Sequence, residues 1–254
     1  MTNDVQILNN GYPMPAVGLG VYKIADEQME EVVRTALDAR YRAFDTAYFY
    51  GNEKALGSAL KHSNVERDEL FITSKLWNDY QGYDQTIEYF NKSLDNLGLD
   101  YLDLFLIHWP CENNQLYIES YKALEHLYEE GKIKAIGVCN FKIHHLEKLM
   151  KETKITPQVN QIELHPYFNQ QDVQDFCDEH DIKVTAWMPL MRNKGLLDDP
   201  VITDIAHRYD KTPAQIVLRW HLAHNRIIIP KSQTPKRIKA VSYTHLRAHE
   251  TGRN

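Results

Sequence analysis

The chain has 254 residues, 43% of them hydrophobic, enough for one large core or two small ones. Its net charge of −6 argues against a nucleic-acid or anionic-membrane partner. Cys111, Cys139 and Cys177 show no CxxC spacing, and their odd count fits reduced thiols in a cytoplasmic protein better than a disulfide framework.

The opening Met1-Thr2-Asn3-Asp4 lacks a basic and then an apolar region, so no signal peptide is expected. No apolar run approaches the roughly 20 residues that a membrane span needs. An Asn9-Asn10-Gly11 turn between 5–8 and 12–15 predicts a small hairpin. Candidate strands follow near 16–20, 43–45, 70–75, 102–108, 133–139, 158–162, 183–187 and 227–229. Helical patterns alternate with them. Met29, Val32, Val33, Ala36 and Leu37 give 26–39 an amphipathic stripe. Ile87, Phe90, Leu94 and Leu97 do the same for 84–97, with Asp84 as the expected N-cap. Gly131 suits a left-handed cap after 115–129, and Thr212-Pro213-Ala214-Gln215 reads as a capping box. Eight strand–helix alternations predict an α/β fold with a parallel (β/α)8 TIM barrel. The first strand is not followed by Gly-x-Gly-x-x-Gly, which argues against a Rossmann domain.

Four residues carry the chemistry. Asp45 closes the second strand and Tyr50 lies just past it, Lys75 closes the third and His108 closes the fourth. A barrel builds its active site at these carboxyl ends. Tyrosine, lysine, carboxylate and histidine together suit proton donation to a carbonyl. Tyr50 is the candidate donor, and an ammonium about 4 Å away is expected to lower its pKa by about two units. Asp45 would keep Lys75 charged and oriented, and His108 would align the carbonyl. Taken singly, each has another reading: a packed aromatic, a turn carboxylate, a surface or Schiff-base lysine, a structural strand-end histidine. No side chain donates hydride, so a cofactor must.

These residues, with Gly18-Leu19-Gly20, Gly137-Val138-Cys139-Asn140-Phe141 and Ile229-Pro230-Lys231-Ser232, resemble the aldo-keto reductase family over roughly residues 5–240. Within it the chain is most similar to bacterial glyoxal and diketogluconate reductases, which act on small dicarbonyls and keto-sugars. The resemblance implies a barrel with the hairpin plugging its bottom, NADPH/NADP+ as cofactor, a small-molecule carbonyl substrate and a monomer. It places Gly20, Val21, Tyr22, Asp45 and Cys139 beside the cofactor, the last replacing a common serine. Asn140 and Gln161 would offer amides to a carboxamide, and Trp187 would stack on the nicotinamide. Lys231, Ser232 and Arg237 suit a phosphate monoester and so favour NADP(H) over NAD. Tyr22, Phe49, Trp77, His108 and Trp109 would wall the substrate pocket.

The family continues past the helix that opens at Thr234-Pro235, whereas this chain turns sparse in apolar residues. The expected division is therefore a barrel over 1–240, truncated at its C-terminal end, and a non-native tail over 241–254 resembling translated sequencing-adapter sequence. Loss of the usual pocket cover predicts weak selectivity and a raised KM. Val241 stands where the family usually places a polar residue near the adenine. No HExxH or paired CxxC marks a metal site, and His144-His145 are expected on a solvated helix start. Basic residues do not interleave with aromatics as a nucleic-acid platform requires. Two further readings stay open: an NADPH-binding sensor module with little turnover, and a Schiff-base aldolase using Lys75.

Overall fold

The computed structural model describes residues 5–111 and 116–242. The chain opens on an antiparallel hairpin, β1 (Val5–Ile7) and β2 (Pro13–Pro15), turned through Gly11 at φ +83°. Only a residue without Cβ takes that conformation readily. Asn9 Nδ2 donates to the carbonyls of Pro157 (3.1 Å) and Asp181 (3.2 Å), and Asn10 Nδ2 to that of Lys134 (2.9 Å). These bonds pin the hairpin under the barrel. Tyr12 adds a bond from its hydroxyl to Asp103 Oδ1 at 2.7 Å. Asp103 Oδ2 also accepts from Arg67 (2.7 Å) and from the Ile72 amide (2.8 Å), so this buried carboxylate is fully used.

Eight parallel strands follow: β3 (Gly18–Gly20), β4 (Ala43–Asp45), β5 (Phe71–Leu76), β6 (Leu102–Ile107), β7 (Ile133–Cys139), β8 (Val159–Glu163), β9 (Lys183–Trp187) and β10 (Ile227–Ile228). The Ile228 amide donates to Ala16 O at 2.9 Å and the Gly20 amide to Pro230 O at 3.1 Å, which joins the last strand to the first. The predicted strands are all present, the first and the last shorter than expected. Leu8 and Met14 of the hairpin are buried with Ala43, Phe71, Leu104, Ala135, Val159 and Ile227, so the barrel is filled from below, as expected. Gly137 makes the filling possible: a Cβ there would lie 2.4 Å from Val159 O and 2.9 Å from Leu106 Cδ2.

The helices form the outer layer: α1 (Asp26–Asp38), α2 (Glu53–Lys61), α3 (Tyr83–Leu97), α4 (Tyr117–Glu129), α5 (Ile143–Glu152), α6 (Gln171–Glu179), α7 (Pro200–Arg208), α8 (Pro213–Ala223) and α9 (Pro235–Ser242). All five apolar residues that define the α1 stripe are buried. The four larger side chains, Met29, Val32, Val33 and Leu37, each contribute about 1.5–3 kcal/mol by leaving water. Gly131 takes the left-handed conformation after α4, and the Thr212 hydroxyl and Gln215 cap α8 reciprocally, both as expected.

Two local expectations are corrected. Gly82, not Asp84, is the N-cap of α3; Asp84 falls in the first turn, because Gly82 takes a φ of +114° freely and starts the helix earlier. His145 is buried rather than solvated, and its Nδ1 accepts from the Lys142 amide at 3.0 Å, capping α5. At the other end, Ile238 and Val241 of α9 are buried in the outer core. The expected tail lies, from residue 243 on, outside the described residues. Among the described residues no helix is long and apolar enough to cross a membrane.

Candidate active site

Asp45 ends β4, Lys75 lies near the end of β5 and His108 directly follows β6. Tyr50 closes a 3-10 turn, Tyr48–Tyr50, that Gly51 ends in the left-handed conformation (φ +70°). Consecutive parallel strands thus bring the four residues to one mouth. Lys75 is wholly buried; its ammonium bonds Asp45 Oδ1 and donates to Thr46 O at 2.9 Å. The ammonium lies 5.3 Å from the Tyr50 ring centroid, and the Tyr50 and His108 rings meet edge-on at 5.8 Å.

Burial and charge set the protonation states. Burial pulls the Lys75 pKa down, but Asp45, then Tyr50 and Cys139, outweigh it and raise the pKa above its ordinary value. Lys75 is therefore a charged residue. Burial pushes Tyr50 up to about 12, with Lys75 pulling back against it. This corrects the expected net lowering: desolvation of the phenolate outweighs the lysine. Burial, followed by the Lys75 charge, lowers His108 from 6.5 to about 3, so its imidazole is neutral across the physiological range. Among the described residues, the His108 Nδ1 is buried without a hydrogen-bond partner.

A polar chain runs on from the pair. Gln161 Nε2 donates to Asp45 Oδ2 at 2.8 Å, and the Cys139 thiol approaches Gln161 Oε1 at 3.9 Å. Asn140, held at φ +64°, donates from Nδ2 to His108 O (3.0 Å) and to Cys139 Sγ (3.2 Å). Its Oδ1 accepts from Trp187 Nε1 at 2.9 Å. The cysteine makes weak bonds, and burial pushes its thiol up, so it is a neutral packing group here.

Aromatic side chains gather around the tetrad. Tyr22 packs on Tyr50 (4.8 Å), Phe49 stacks on Trp77 (3.8 Å), and Trp77 meets His108 edge-on (5.3 Å). Phe49 and Trp109 are about half exposed at the rim (51% and 41%). Gly20 lets β3 approach β10, since a Cβ there would meet Ile229 O at 3.0 Å. Val21 meets the site only through its backbone, whose amide donates to Asp45 O at 3.0 Å; its side chain packs in the outer core.

Lys231, Ser232 and Arg237 lie between β10 and the first turn of α9. Lys231 and Arg237 are exposed, and Ser232 Oγ accepts from the Thr234 amide at 3.1 Å. Partial burial, then the charge of Lys23, lowers the Lys231 pKa. Lys23 was not among the predicted residues; its signal was its place directly after Tyr22. Arg192, also unforeseen, lies 5.9 Å from the Tyr22 ring with φ +49°. Nothing in its sequence context marks it.

A tetrad of lysine, carboxylate, tyrosine and histidine at the carboxyl mouth of an eight-stranded barrel defines the class as a cofactor-dependent oxidoreductase. The aldo/keto reductase family model matches residues 16–244, and the chain belongs to that family. It is similar to the glyoxal reductase of Bacillus subtilis, 49% identical over 236 residues that cover 92% of this chain and 84% of that protein. It is also similar to the methylglyoxal reductase DkgA of Escherichia coli K12, 48% identical over 232 residues covering 91% and 84%. Among solved structures, an aldo/keto reductase from Brucella melitensis superposes with a TM-score of 0.93 at 46% identity, covering 96% of this chain and 94% of that one. A Gox0644 variant in complex with NADPH superposes with a TM-score of 0.92 at 40% identity, covering 99% and 92%.

Proposed function

We propose that this enzyme reduces small aldehydes and ketones, dicarbonyls and keto-sugars among them, to alcohols with NADPH. The observation that carries the reading is the buried Lys75–Asp45 pair beneath Tyr50 and opposite a neutral His108. Relatives named for glyoxal and methylglyoxal reduction support the substrate class.

NADPH fits the residues present. Lys23 and Lys231 are close enough for one charge to depress the other's pKa, yet among the described residues no carboxylate pairs with Lys23, Lys231 or Arg237. Like charges gathered without a counter-ion suit a polyanion. Lys231, Ser232 and Arg237 would hold its phosphate monoester, Trp187 would stack on its nicotinamide, and Asn140 and Gln161 would meet its carboxamide. When bound, the cofactor supplies the hydride.

The chain's own residues handle the oxygen. His108, neutral, donates a hydrogen bond to the carbonyl and orients it. Tyr50 stays protonated at neutral pH because of its burial, and gives up that proton to the oxygen as negative charge develops there. Lys75 then stabilises the phenolate, and Asp45 keeps Lys75 charged. A Schiff base needs a neutral amine, and Asp45 holds Lys75 in the opposite state, which disfavours an aldolase. The stacked Phe49–Trp77 pair, with Tyr22 and Trp109, keeps water from the carbonyl.

The same proposal takes residues 241–254 as non-native tail, on its composition, and places the enzyme in the cytoplasm, on its three free thiols. Methylglyoxal should drive multiple-turnover oxidation of NADPH. Tight NADPH binding without turnover on a panel of aldehydes would instead favour the sensor reading. The paired substitutions Lys231→Met and Arg237→Met should weaken NADPH binding about 10²–10⁴-fold while leaving NADH within about twofold, because each charged phosphate contact is worth about 1.5–3 kcal/mol and two are removed. Quenching of tryptophan fluorescence measures both affinities; parallel losses would remove the phosphate role.

A further inference from the structure

The buried polar residues Thr46, Asn52, Glu53 and Ser74 take no part in the chemistry proposed above. They enclose the turn that carries Tyr50. Asn52 accepts at Oδ1 from the Thr46 hydroxyl (3.0 Å) and donates from Nδ2 to Val21 O (2.9 Å). Thr46 in turn offers its carbonyl to the Lys75 ammonium. Glu53 accepts from the Ser74 hydroxyl at 2.6 Å through one oxygen and from Asn96 Nδ2 at 3.0 Å through the other. Ser74 is the residue before Lys75 on β5. Thr46, at the start of the segment from Thr46 to Glu53, thus bonds the Lys75 ammonium directly, and Glu53, at its end, bonds the residue before Lys75 on β5.

Docking α2 does not require these bonds. Gly57, one turn beyond Glu53 on the same face, already seats the helix against α3, where a Cβ would fall 2.2 Å from Leu97 O. A buried carboxylate is a costly spacer unless its bonds do something that packing cannot. Packing tolerates sliding, whereas a directed bond at 2.6 Å fixes a distance.

We infer that Glu53, through Ser74, and Asn52, through Thr46, are positioning residues that hold the Tyr50 turn at a fixed distance from Lys75. The inference rests on Tyr50 as proton donor. Its geometry is specific: both struts start just after Gly51, Asn52 reaching back to Thr46, whose carbonyl accepts from the ammonium, and Glu53 reaching Ser74 on the strand that carries Lys75. Loss of either lets the phenol and the ammonium drift, while Lys231, Ser232 and Arg237, which lie beyond β10, make no bond to either strut among the described residues.

The test uses Ser74→Ala and Thr46→Val, which remove one hydroxyl each at little cost in volume, beside Tyr50→Phe. Each strut variant should lose roughly tenfold in kcat, since sub-ångström misplacement of a reacting group costs about that much. The Kd for NADPH should stay within about twofold, and the isotope effect with deuterated NADPH should rise as chemistry becomes slower. Glu53→Gln, which can still accept from Ser74, should keep kcat within about threefold of the parent. Wild-type kcat in both strut variants, with Tyr50→Phe inactive, would overturn the positioning role. An equal loss of NADPH affinity would also overturn it, by showing general damage. An active Tyr50→Phe enzyme would instead remove the proton-donor reading beneath it.

Discussion

Tyr50→Phe is expected to lower kcat for carbonyl reduction by about 10²–10⁴-fold, the usual worth of a positioned general acid. Binding of NADPH should change by less than about twofold, because the ring stays. Its contacts with Tyr22 at 4.8 Å and His108 at 5.8 Å are made by carbon faces and edges, and only the hydroxyl is deleted. The pH dependence carries a second signature. His108 titrates near 3 and Tyr50 near 12, so neither changes charge in the neutral range, and kcat of the parent should be flat there. As pH rises toward the Tyr50 value the acid is lost and reduction falls; as pH falls toward the His108 value the imidazole charges. His108 also bears on stability. Its folded pKa is depressed, so between about 3 and the unfolded value near 6.5 the unfolded chain binds the extra proton, and stability falls as pH drops through that window. Stopped-flow reduction of methylglyoxal at several pH values measures the rate terms. Retained kcat in the phenylalanine variant would eliminate Tyr50 as the acid.

The barrel was legible because each buried parallel strand is a short apolar run, and Phe71, Leu104, Ile136 and Ile162 carry that signal without reference to anything distant. The tetrad was legible for a related reason: Asp45, Lys75 and His108 end those runs, where an apolar pattern gives way to polar residues. What escaped depends on distance. The Tyr50 pKa is decided by how deeply the ring is buried, and burial of a turn residue is a property of the closed barrel rather than of its own segment. The neighbours of Gln161 tell the same story: its bond to Asp45 spans 116 residues, and no local pattern reveals it. Asn52 and Glu53 stood in plain view after Tyr50-Gly51, but a polar pair at a helix start reads as a cap until Ser74 and Asn96 are seen to meet it. Asp84 failed in the opposite direction, since a good capping residue was passed over for a glycine whose φ of +114° few other residues adopt.

Lys75→Met should be the more damaging change, since it strikes fold and chemistry together. The side chain is wholly buried, and its ammonium bonds both Asp45 and the Thr46 carbonyl. Methionine fills much of the space but leaves the Asp45 carboxylate, itself only 4% exposed, with Gln161 Nε2 as its remaining side-chain donor. Breaking a buried pair by removing one partner costs about 3–5 kcal/mol, or roughly 6–20 °C in Tm for a domain of this size. The loss of charge also withdraws what pulls the Tyr50 pKa down, so the phenol becomes a still weaker acid and its phenolate loses its counter-ion. A fall in kcat on the order of 10³-fold follows from losing one preorganised charge in a dry site. The two effects separate in the double variant with Asp45→Asn, which removes the stranded carboxylate. Thermal unfolding should then recover most of the lost Tm, whereas kcat should stay at the level of Lys75→Met. Recovery of both together would mean that Lys75 serves the fold alone; recovery of neither would mean that the Asp45 charge is not what destabilises the single variant.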